Sequence, residues 1–526
     1  MEGRYLILIG FYLFIILSCT DQKNKKEPIA TPNILFIFTD DHAKNAMSIY
    51  ADKLIETPNL DRIGREGMIF NRAFVTNSIC GPSRAVILTG KYSHVNGFKQ
   101  NGDRFDGSQP TFPKLLQSAG YQTAIVGKWH LESAPTGFDY YNILIGQGQY
   151  YNPVLIENGD TSLHEGHSTD IITDLSLAYM DSLKKDLPFC MMVQYKAPHR
   201  NWMPHPRYFN DFEKDLPIPE TFYDDYSTRS DAARDADMRI EDMFMSLDMK
   251  LYPEVYGEDN ETGGMEKHDP SKDWQNTLAR MTPEQRAAWD EYYIPINDHY
   301  KANKDKWTKK ELIEWKYQRY IKDYLRCVKS VDDNVGRILK YLAENDLLEN
   351  TLIVYSSDQG FYLGEHGWYD KRFMYEESFG MPLAMRFPDK IKPGSVCNEL
   401  VMNLDFAPTF LDVAGIPIPT DMQGKSLTPL FSQPKNNNWR EAIYYHYYSD
   451  QSWHTVKRHE GVRTKNHKLI NFYDIKSWEL FDLEKDPNEI NNVFGSKEYM
   501  DTENKLKEQL TILRAEYGLP KIQNRD

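Results

Sequence analysis

Four short apolar runs most narrow what this 526-residue chain can fold into. Residues 33–38 (Asn-Ile-Leu-Phe-Ile-Phe), 122–126, 189–194 and 352–355 are continuous rather than alternating. A strand with one wet face alternates polar with apolar, whereas a continuous run is buried on both faces, as in a parallel sheet covered by helices. Helical patterns fall between the runs, at 82–89 and 112–118. The longest begins at Thr308, which pairs with Glu311 as a capping box. Its apolar positions Leu312, Trp315, Tyr320, Tyr324, Val328, Val331, Val335 and Leu339 keep a three-to-four spacing as far as Leu342. Strands alternating with helices predict an α/β fold with a large mixed, mostly parallel sheet sandwiched by helices.

Two stretches depart from that pattern. Residues 210–307 are rich in charge, Asp, Tyr and Met and hold no strand-like run, which predicts a helical and loop insertion above the sheet. After about residue 394 the runs shorten. Residues 442–448, 461–464, 469–473 and 479–482 read as strands joined by polar turns, and 502–517 as a terminal helix. The expected division is a catalytic domain at 32–394 and a smaller C-terminal antiparallel-sheet subdomain at 395–526.

The N-terminus reads as an export signal. Arg4 gives a positive start, residues 5–17 are almost wholly apolar, and Ile16-Leu17-Ser18-Cys19 resembles a bacterial lipobox. Residues 1–18 are then a lipoprotein signal peptide, Cys19 the lipidated residue and its only route to a membrane, and 19–31 a polar tether. That predicts a periplasmic or cell-surface lipoprotein of a Gram-negative bacterium. Of the five cysteines, Cys190 and Cys327 sit in apolar settings and read as small core residues. The net charge of −15 argues against nucleic acid as a partner. It also means that an anionic substrate must be drawn by a local basic pocket.

In open α/β sheets ligands bind beyond the carboxyl ends of the strands. Asp40 and Asp41 follow the first apolar run, Lys128 and His130 the second, His199 the third, and Asp358 and Gln359 the fourth. Asp40, Asp41, Asp358 and Gln359 offer hard oxygen donors, which suit Ca²⁺ or Mg²⁺ better than zinc. Cys80 stands two residues before Pro82, a favoured first helical residue, and so near a helix N-terminus that favours negative charge. Arg84 lies one turn on. Lys128 and Lys371 are point charges able to grip a tetrahedral anion. His130 and His199 are the proton-transfer candidates.

These stretches together resemble the type I sulfatases of the alkaline phosphatase superfamily. The matching motifs are Thr39-Asp40-Asp41-His42, Cys80-Gly81-Pro82-Ser83-Arg84, Gly127-Lys128-Trp129-His130, Ala197-Pro198-His199, Ser357-Asp358-Gln359-Gly360 and Leu363-Gly364-Glu365-His366-Gly367 with Lys371. The resemblance implies that a maturation enzyme oxidises Cys80 to formylglycine. It further implies that Asp40, Asp41, Asp358, Gln359 and the modified Cys80 bind one Ca²⁺. Arg84 and Lys128 would stabilise the aldehyde hydrate, and Lys128, His199 and Lys371 would contact sulfate. His199 would protonate the departing sugar oxygen, and His130 would take a proton from the sulfo-enzyme to release sulfate. Many members carry Asn where Gln359 stands.

Residues 315–334 and 364–372 look closest to N-acetylglucosamine-6-O-sulfatases, which implies an exo-acting enzyme on heparan-type or mucin glycans. Sugar contacts are expected from Asp103, Arg104, Arg200, Trp202, His205 and His459, with Trp202 placed to stack on a ring. The alternatives are a sulfatase for galactose or N-acetylgalactosamine 6-sulfate, a phosphonate or phosphate monoester hydrolase of the same superfamily, and a glycan-binding lipoprotein whose Cys80 is never matured.

Overall fold

The structure, a computed structural model, describes residues 31–51, 54–256, 269–449 and 454–520. The expected signal peptide, Cys19 and nearly all of the tether lie outside the described residues. Ten strands make the large sheet: β1 (Asn33–Thr39), β2 (Met68–Phe70), β3 (Gln122–Lys128), β4 (Tyr140–Leu144), β5 (Val154–Glu157), β6 (Asp160–Leu163), β7 (Phe189–Gln194), β8 (Thr351–Ser357), β9 (Leu383–Arg386) and β10 (Ser395–Cys397). Their order is β10-β2-β9-β8-β1-β7-β3-β4-β5-β6. The four expected apolar runs are β1, β3, β7 and β8, adjacent and mutually parallel at the centre. Every residue of β1, β7 and β8 is buried, as a run apolar on both faces requires. Antiparallel β9 flanks them on one side, and on the other parallel β4 comes first, followed by antiparallel β5 and β6.

Helices cover both faces, and each face has its own apolar core. One core holds α1 (Cys80–Thr89) and α2 (Phe112–Ser118), and the other holds α3 (Ser168–Ser182) and α6 (Lys309–Glu344). The capping box of α6 is as expected: Thr308 Oγ1 accepts from Glu311 N at 3.3 Å, and Glu311 Oε2 accepts from Thr308 N at 2.7 Å. Burying each Val, Leu, Ile or Phe of its inner stripe is worth roughly 1.5–3 kcal/mol, which outweighs the few strained turns at the site.

Residues 210–307 contain helices and turns and, among the described residues, no strand. Here α4 (Pro270–Ala279) and α5 (Pro283–Asn303) pack through Trp274 and Trp289, ring centroids 5.7 Å apart, and Trp289 stacks on Tyr293 of its own helix at 4.1 Å. That aromatic core makes the insertion a folded layer.

The second sheet has four antiparallel strands, β11 (Ala442–Tyr447), β12 (His459–Thr464), β13 (His467–Phe472) and β14 (Ser477–Asp482), and α7 (Met500–Glu516) packs on it. The strands match the expected ones to within two residues. The expected boundary at 394 divides the large sheet, because β10 pairs with β2 inside it. A three-residue edge strand has too little pattern to be read from sequence. From Pro32 on, the described residues form one compact unit.

Candidate active site

Strand register places the site. Thr39 lies level with Ser357, and Phe38 and Gly127 both lie level with Gln194. The carboxyl ends of β8, β1, β7 and β3 therefore share one rim. Asp40 and Asp41 continue β1, Asp358 and Gln359 continue β8, Lys128 ends β3, and Lys196 and His199 follow β7. Gly127 makes the close approach possible: at φ +110° its missing Cβ would stand 1.9 Å from the Gln194 carbonyl oxygen.

The carboxylates of Asp40, Asp41 and Asp358 lie within 4.8 Å of one another, fully buried. Asp41 has a left-handed backbone, φ 65°. Its amide donates to Asp358 Oδ1 at 3.1 Å, and its carbonyl accepts from the Tyr324 hydroxyl of α6 at 2.8 Å. Each carboxylate has a cation. Lys128 Nζ donates to Asp40, Lys371 Nζ to Asp41 at 2.6 Å, and Arg84 Nε and Nη2 to Asp358 at 3.1 and 2.9 Å. Arg84 Nη1 donates to the Lys128 carbonyl and to Gln194 Oε1, both at 2.8 Å, so the guanidinium is a scaffold for the rim.

The charge is still unbalanced. Burial pushes Asp41 up to about 6, Asp40 adding to it against the pull of Lys371. Burial, then Asp40, holds Asp358 well above the carboxylate range despite Arg84. Burial works on Asp40 too, but Lys128, His199 and Arg84 outweigh it and hold that carboxyl well below its usual value. Among the described residues Asp40 Oδ1 and Gln359 Oε1 are buried without a hydrogen-bond partner. Orphaned oxygens among crowded carboxylates are what a hard divalent cation satisfies. Gln359 Nε2 donates to Asp41 Oδ1; with the amide turned over, Oε1 faces the same point. The donor set fits such an ion.

Cys80 is the first residue of α1 and is buried. A helix N-terminus favours a thiolate, yet burial and then Asp40 push this thiol far up. As found, residue 80 is a neutral thiol and a weak nucleophile. His199 Nδ1 donates to the Arg200 carbonyl at 2.6 Å, which leaves Nε2 bare 3.7 Å from Asp41 Oδ2. His130 is buried, with Nδ1 unpartnered among the described residues. Burial first, then Lys128, pushes His130 well below the usual imidazole range. Burial does the same to His199, with Lys128 and Lys371 adding to it against Asp40. Both imidazoles are neutral in the free protein.

Above this floor opens a cavity of about 710 Å³. Cys80, His199, Lys371 and Lys196 line one side. Asn276, Thr277 and Arg280 bring in the insertion, and Ser449 and His454 the segment beside the second sheet.

All ten expected catalytic and metal-ligating residues thus come together. Of the expected sugar contacts only Arg200 lines the cavity. Trp202 is wholly buried at left-handed φ 43°, packed on Tyr320 and Phe361, so it has no face to offer a sugar. His459 is also buried: its Nε2 accepts from Met374 N at 3.1 Å and its Nδ1 donates to the Lys457 carbonyl at 2.8 Å. His205 lies away from the cavity, 3.8 Å from Asp170. Asp103 caps the amides of Lys99 and Gln100, and neither it nor the exposed Arg104 lines the cavity, whereas Asn101 does. Arg200 does line it, but its guanidinium is spent on Asp248 at 2.7 and 2.6 Å. Sequence reasoning missed Lys196, Gln147 and the α4 wall. Lys196 had a usable signal, its place two residues past β7. Gln147, whose Oε1 accepts from Lys128 at 2.5 Å, had none.

Comparisons with known proteins show which family the chain resembles. The Sulfatase family model matches residues 32–416, and that of the N-sulphoglucosamine sulphohydrolase C-terminal region matches 364–516. The chain is 47% identical to the N-acetylglucosamine-6-O-sulfatase of Bacteroides thetaiotaomicron, over 97% of this chain and 91% of that protein. It is 30% identical to the human N-acetylglucosamine-6-sulfatase, over 79% and 67%. A protein solved in complex with its substrate D-glucosamine-2-N,6-O-disulfate superimposes with a TM-score of 0.87 and 48% identity, covering 93% of this chain and 98% of that one. A phosphonate monoester hydrolase from Silicibacter pomeroyi, 19% identical at a TM-score of 0.64, shares the fold.

Proposed function

Because this chain belongs to the sulfatase family and is a carbohydrate sulfate-ester hydrolase, we propose that it removes the 6-O-sulfate from a terminal glucosamine residue, N-acetylated or N-sulfated, of heparan-type or mucin glycans. The observation that carries this reading is the floor of the cavity, where residue 80 meets three buried carboxylates and a set of lysines. The sugar assignment draws on the relatives that act on 6-sulfated glucosamine.

Asp40, Asp41, Asp358 and Gln359 would hold a calcium ion there. When present, the ion supplies positive charge against the sulfate, and Cys80 matured to formylglycine supplies, as its hydrate, a hydroxyl nucleophile. The remaining work falls to the side chains. Lys128 and Lys371 balance the rim and spread negative charge building on the transferring SO₃ group. Arg84 fixes Asp358 and, through the Lys128 carbonyl, the end of β3. His199 points Nε2 into the cavity with its tautomer set by the Arg200 carbonyl. An entering sulfate monoanion raises its basicity, and the proton it then carries goes to the departing sugar oxygen. His130, kept neutral by burial, accepts a proton from residue 80 as sulfate leaves. Export with a lipid on Cys19, and dependence on a formylglycine-generating enzyme, belong to the same reading and follow from Arg4, residues 5–17 and the Cys80 motif.

The test is a panel of defined sulfated monosaccharides given to protein whose residue 80 is confirmed as the aldehyde by peptide mass spectrometry. Glucosamine 6-sulfates should be turned over at least about a hundredfold faster, in kcat/KM, than galactose or N-acetylgalactosamine 6-sulfate, since a site built on a substrate hydroxyl discriminates strongly. Equal rates on all sugars, or faster release of phosphate than of sulfate from paired aryl esters, would remove the assignment.

A further inference from the structure

Lys196 is a lysine that the proposed mechanism does not use. It stands two residues beyond β7, lines the cavity beside Cys80 and His199, and is only 3% exposed. Its ammonium reaches the backbone carbonyls of Gln147 at 3.2 Å and Arg200 at 3.4 Å and lies 5.0 Å from the centre of the Tyr150 ring. Among the described residues it has no carboxylate in ion-pair range. Lys371, Arg200 and Arg372 at the cavity each have one, Lys371 with Asp41, Arg200 with Asp248 and Arg372 with Asp370, as does Lys128 below them with Asp40, and Arg280 lies exposed on the insertion. A buried ammonium held by two long contacts to neutral carbonyls is under-solvated, and an anion that enters beside it is worth more there than at a paired lysine.

We propose that Lys196 is a substrate-binding residue whose counter-ion is the substrate itself, its ammonium donating to a non-bridging oxygen of the ester sulfate. The inference rests on the reading of this cavity as the sulfate-ester site. Lys128 and Lys371 divide their charge between the acidic floor and the anion, whereas Lys196 has no carboxylate to share with it. Tyr150 supports this geometry from two sides, its ring under the ammonium and its hydroxyl donating to the His199 carbonyl at 2.6 Å. Sulfate contact and proton donor are thereby tied to one side chain.

The experiment compares wild type, K196R, K196Q and K196M, all calcium-loaded and with the aldehyde quantified. It reads kcat and KM on a glucosamine 6-sulfate and competitive inhibition by inorganic sulfate. Loss of a charged hydrogen bond to the anion should raise the sulfate inhibition constant and KM about tenfold to a hundredfold in K196Q and K196M. K196R, which keeps the charge, should stay within a few-fold of wild type. Unchanged sulfate inhibition in K196Q and K196M overturns the inference. So does failure of all three variants to fold, which would make Lys196 structural. Wild-type inactivity on every sulfated sugar would instead strike the function reading, so the two failures are told apart.

Discussion

At residue 80 two tendencies oppose each other, and the structure shows which wins. The start of α1 favours negative charge, but burial and Asp40 keep the thiol protonated. The residue is therefore unsuited to act as a nucleophile in its cysteine form. Cys80→Ala should abolish turnover, by about 10⁴-fold or more given the cost of losing a nucleophile, while calorimetric binding of substrate stays within a few-fold. Residual turnover within tenfold of wild type would take the nucleophile role from Cys80. His199 makes a finer case, because its ring is aimed by one carbonyl bond and faces the cavity. His199→Ala should cost about 10²–10⁴-fold in kcat on sugar sulfates, the usual worth of general acid catalysis, and far less on aryl sulfates whose phenolate leaves unaided. Equal losses on both would deny it the proton. Trp202 and His199 also mark what the sequence could reveal. Both stand three residues apart after the same strand, and only the backbone path, left-handed at Trp202, decides that one ring enters the cavity and the other the core. Strand ends are legible from apolar runs; side-chain direction in the turn beyond them is not.

At the scale of elements the site is a consequence of register. Four parallel strands end level, so residues distant in sequence meet without any loop having to be long. This is why Asp40, Asp41, Asp358, Gln359 and Lys128 were legible: each lies at or within a few residues of a run that reads as a buried strand, whereas Arg84 and Lys371 stand away from those runs and were read with the family motifs. The α4 wall was not legible, since nothing in the insertion's composition says which of its helices overhangs the rim. The crowding of Asp40, Asp41 and Asp358 leads to a prediction that does not depend on turnover. Stripped with a chelator, the protein should gain stability on addition of Ca²⁺, by about 2.7 kcal/mol at a hundredfold excess over the dissociation constant, read as a rise in melting temperature. Zn²⁺ should give a smaller rise, and Asp358→Asn should abolish the calcium response. A calcium response surviving in that variant would move the ion away from this rim.

Over the whole molecule, the two sheets meet through a buried ionic cluster rather than apolar surface alone. Glu376, just past the Lys371 loop, accepts from Arg463 of β12 at 2.9 and 3.0 Å, and Lys468 of β13 lies 2.9 Å from it and 2.7 Å from Glu489. Tyr375 donates to Glu479 of β14 at 2.7 Å. The short Glu376–Phe379 helix that carries Glu376 also closes over Gly360, where a Cβ would stand 2.0 Å from the Glu377 carbonyl oxygen. The second sheet thereby braces the loop that delivers Lys371 to Asp41. Glu376, although half-buried and partly desolvated, is held well below the usual carboxylate range by Arg463 and Lys468. A carboxyl depressed on folding contributes stability above its unfolded value of about 4.5 and loses it as pH falls through the folded value. Glu489 runs the other way: burial lifts it to about 7 despite Lys468, so its ionisation opposes folding as pH rises through that value. Lys468→Met removes the cation both carboxyls share. It should cost about 3–5 kcal/mol near pH 8, the range for breaking a buried pair, and the deficit should shrink steadily towards pH 5 as the orphaned Glu489 protonates, Glu376 keeping Arg463. Urea unfolding of wild type and variant across that interval measures it. A deficit independent of pH would mean that Lys468 contributes packing alone, and that the second sheet is held to the first without the charges.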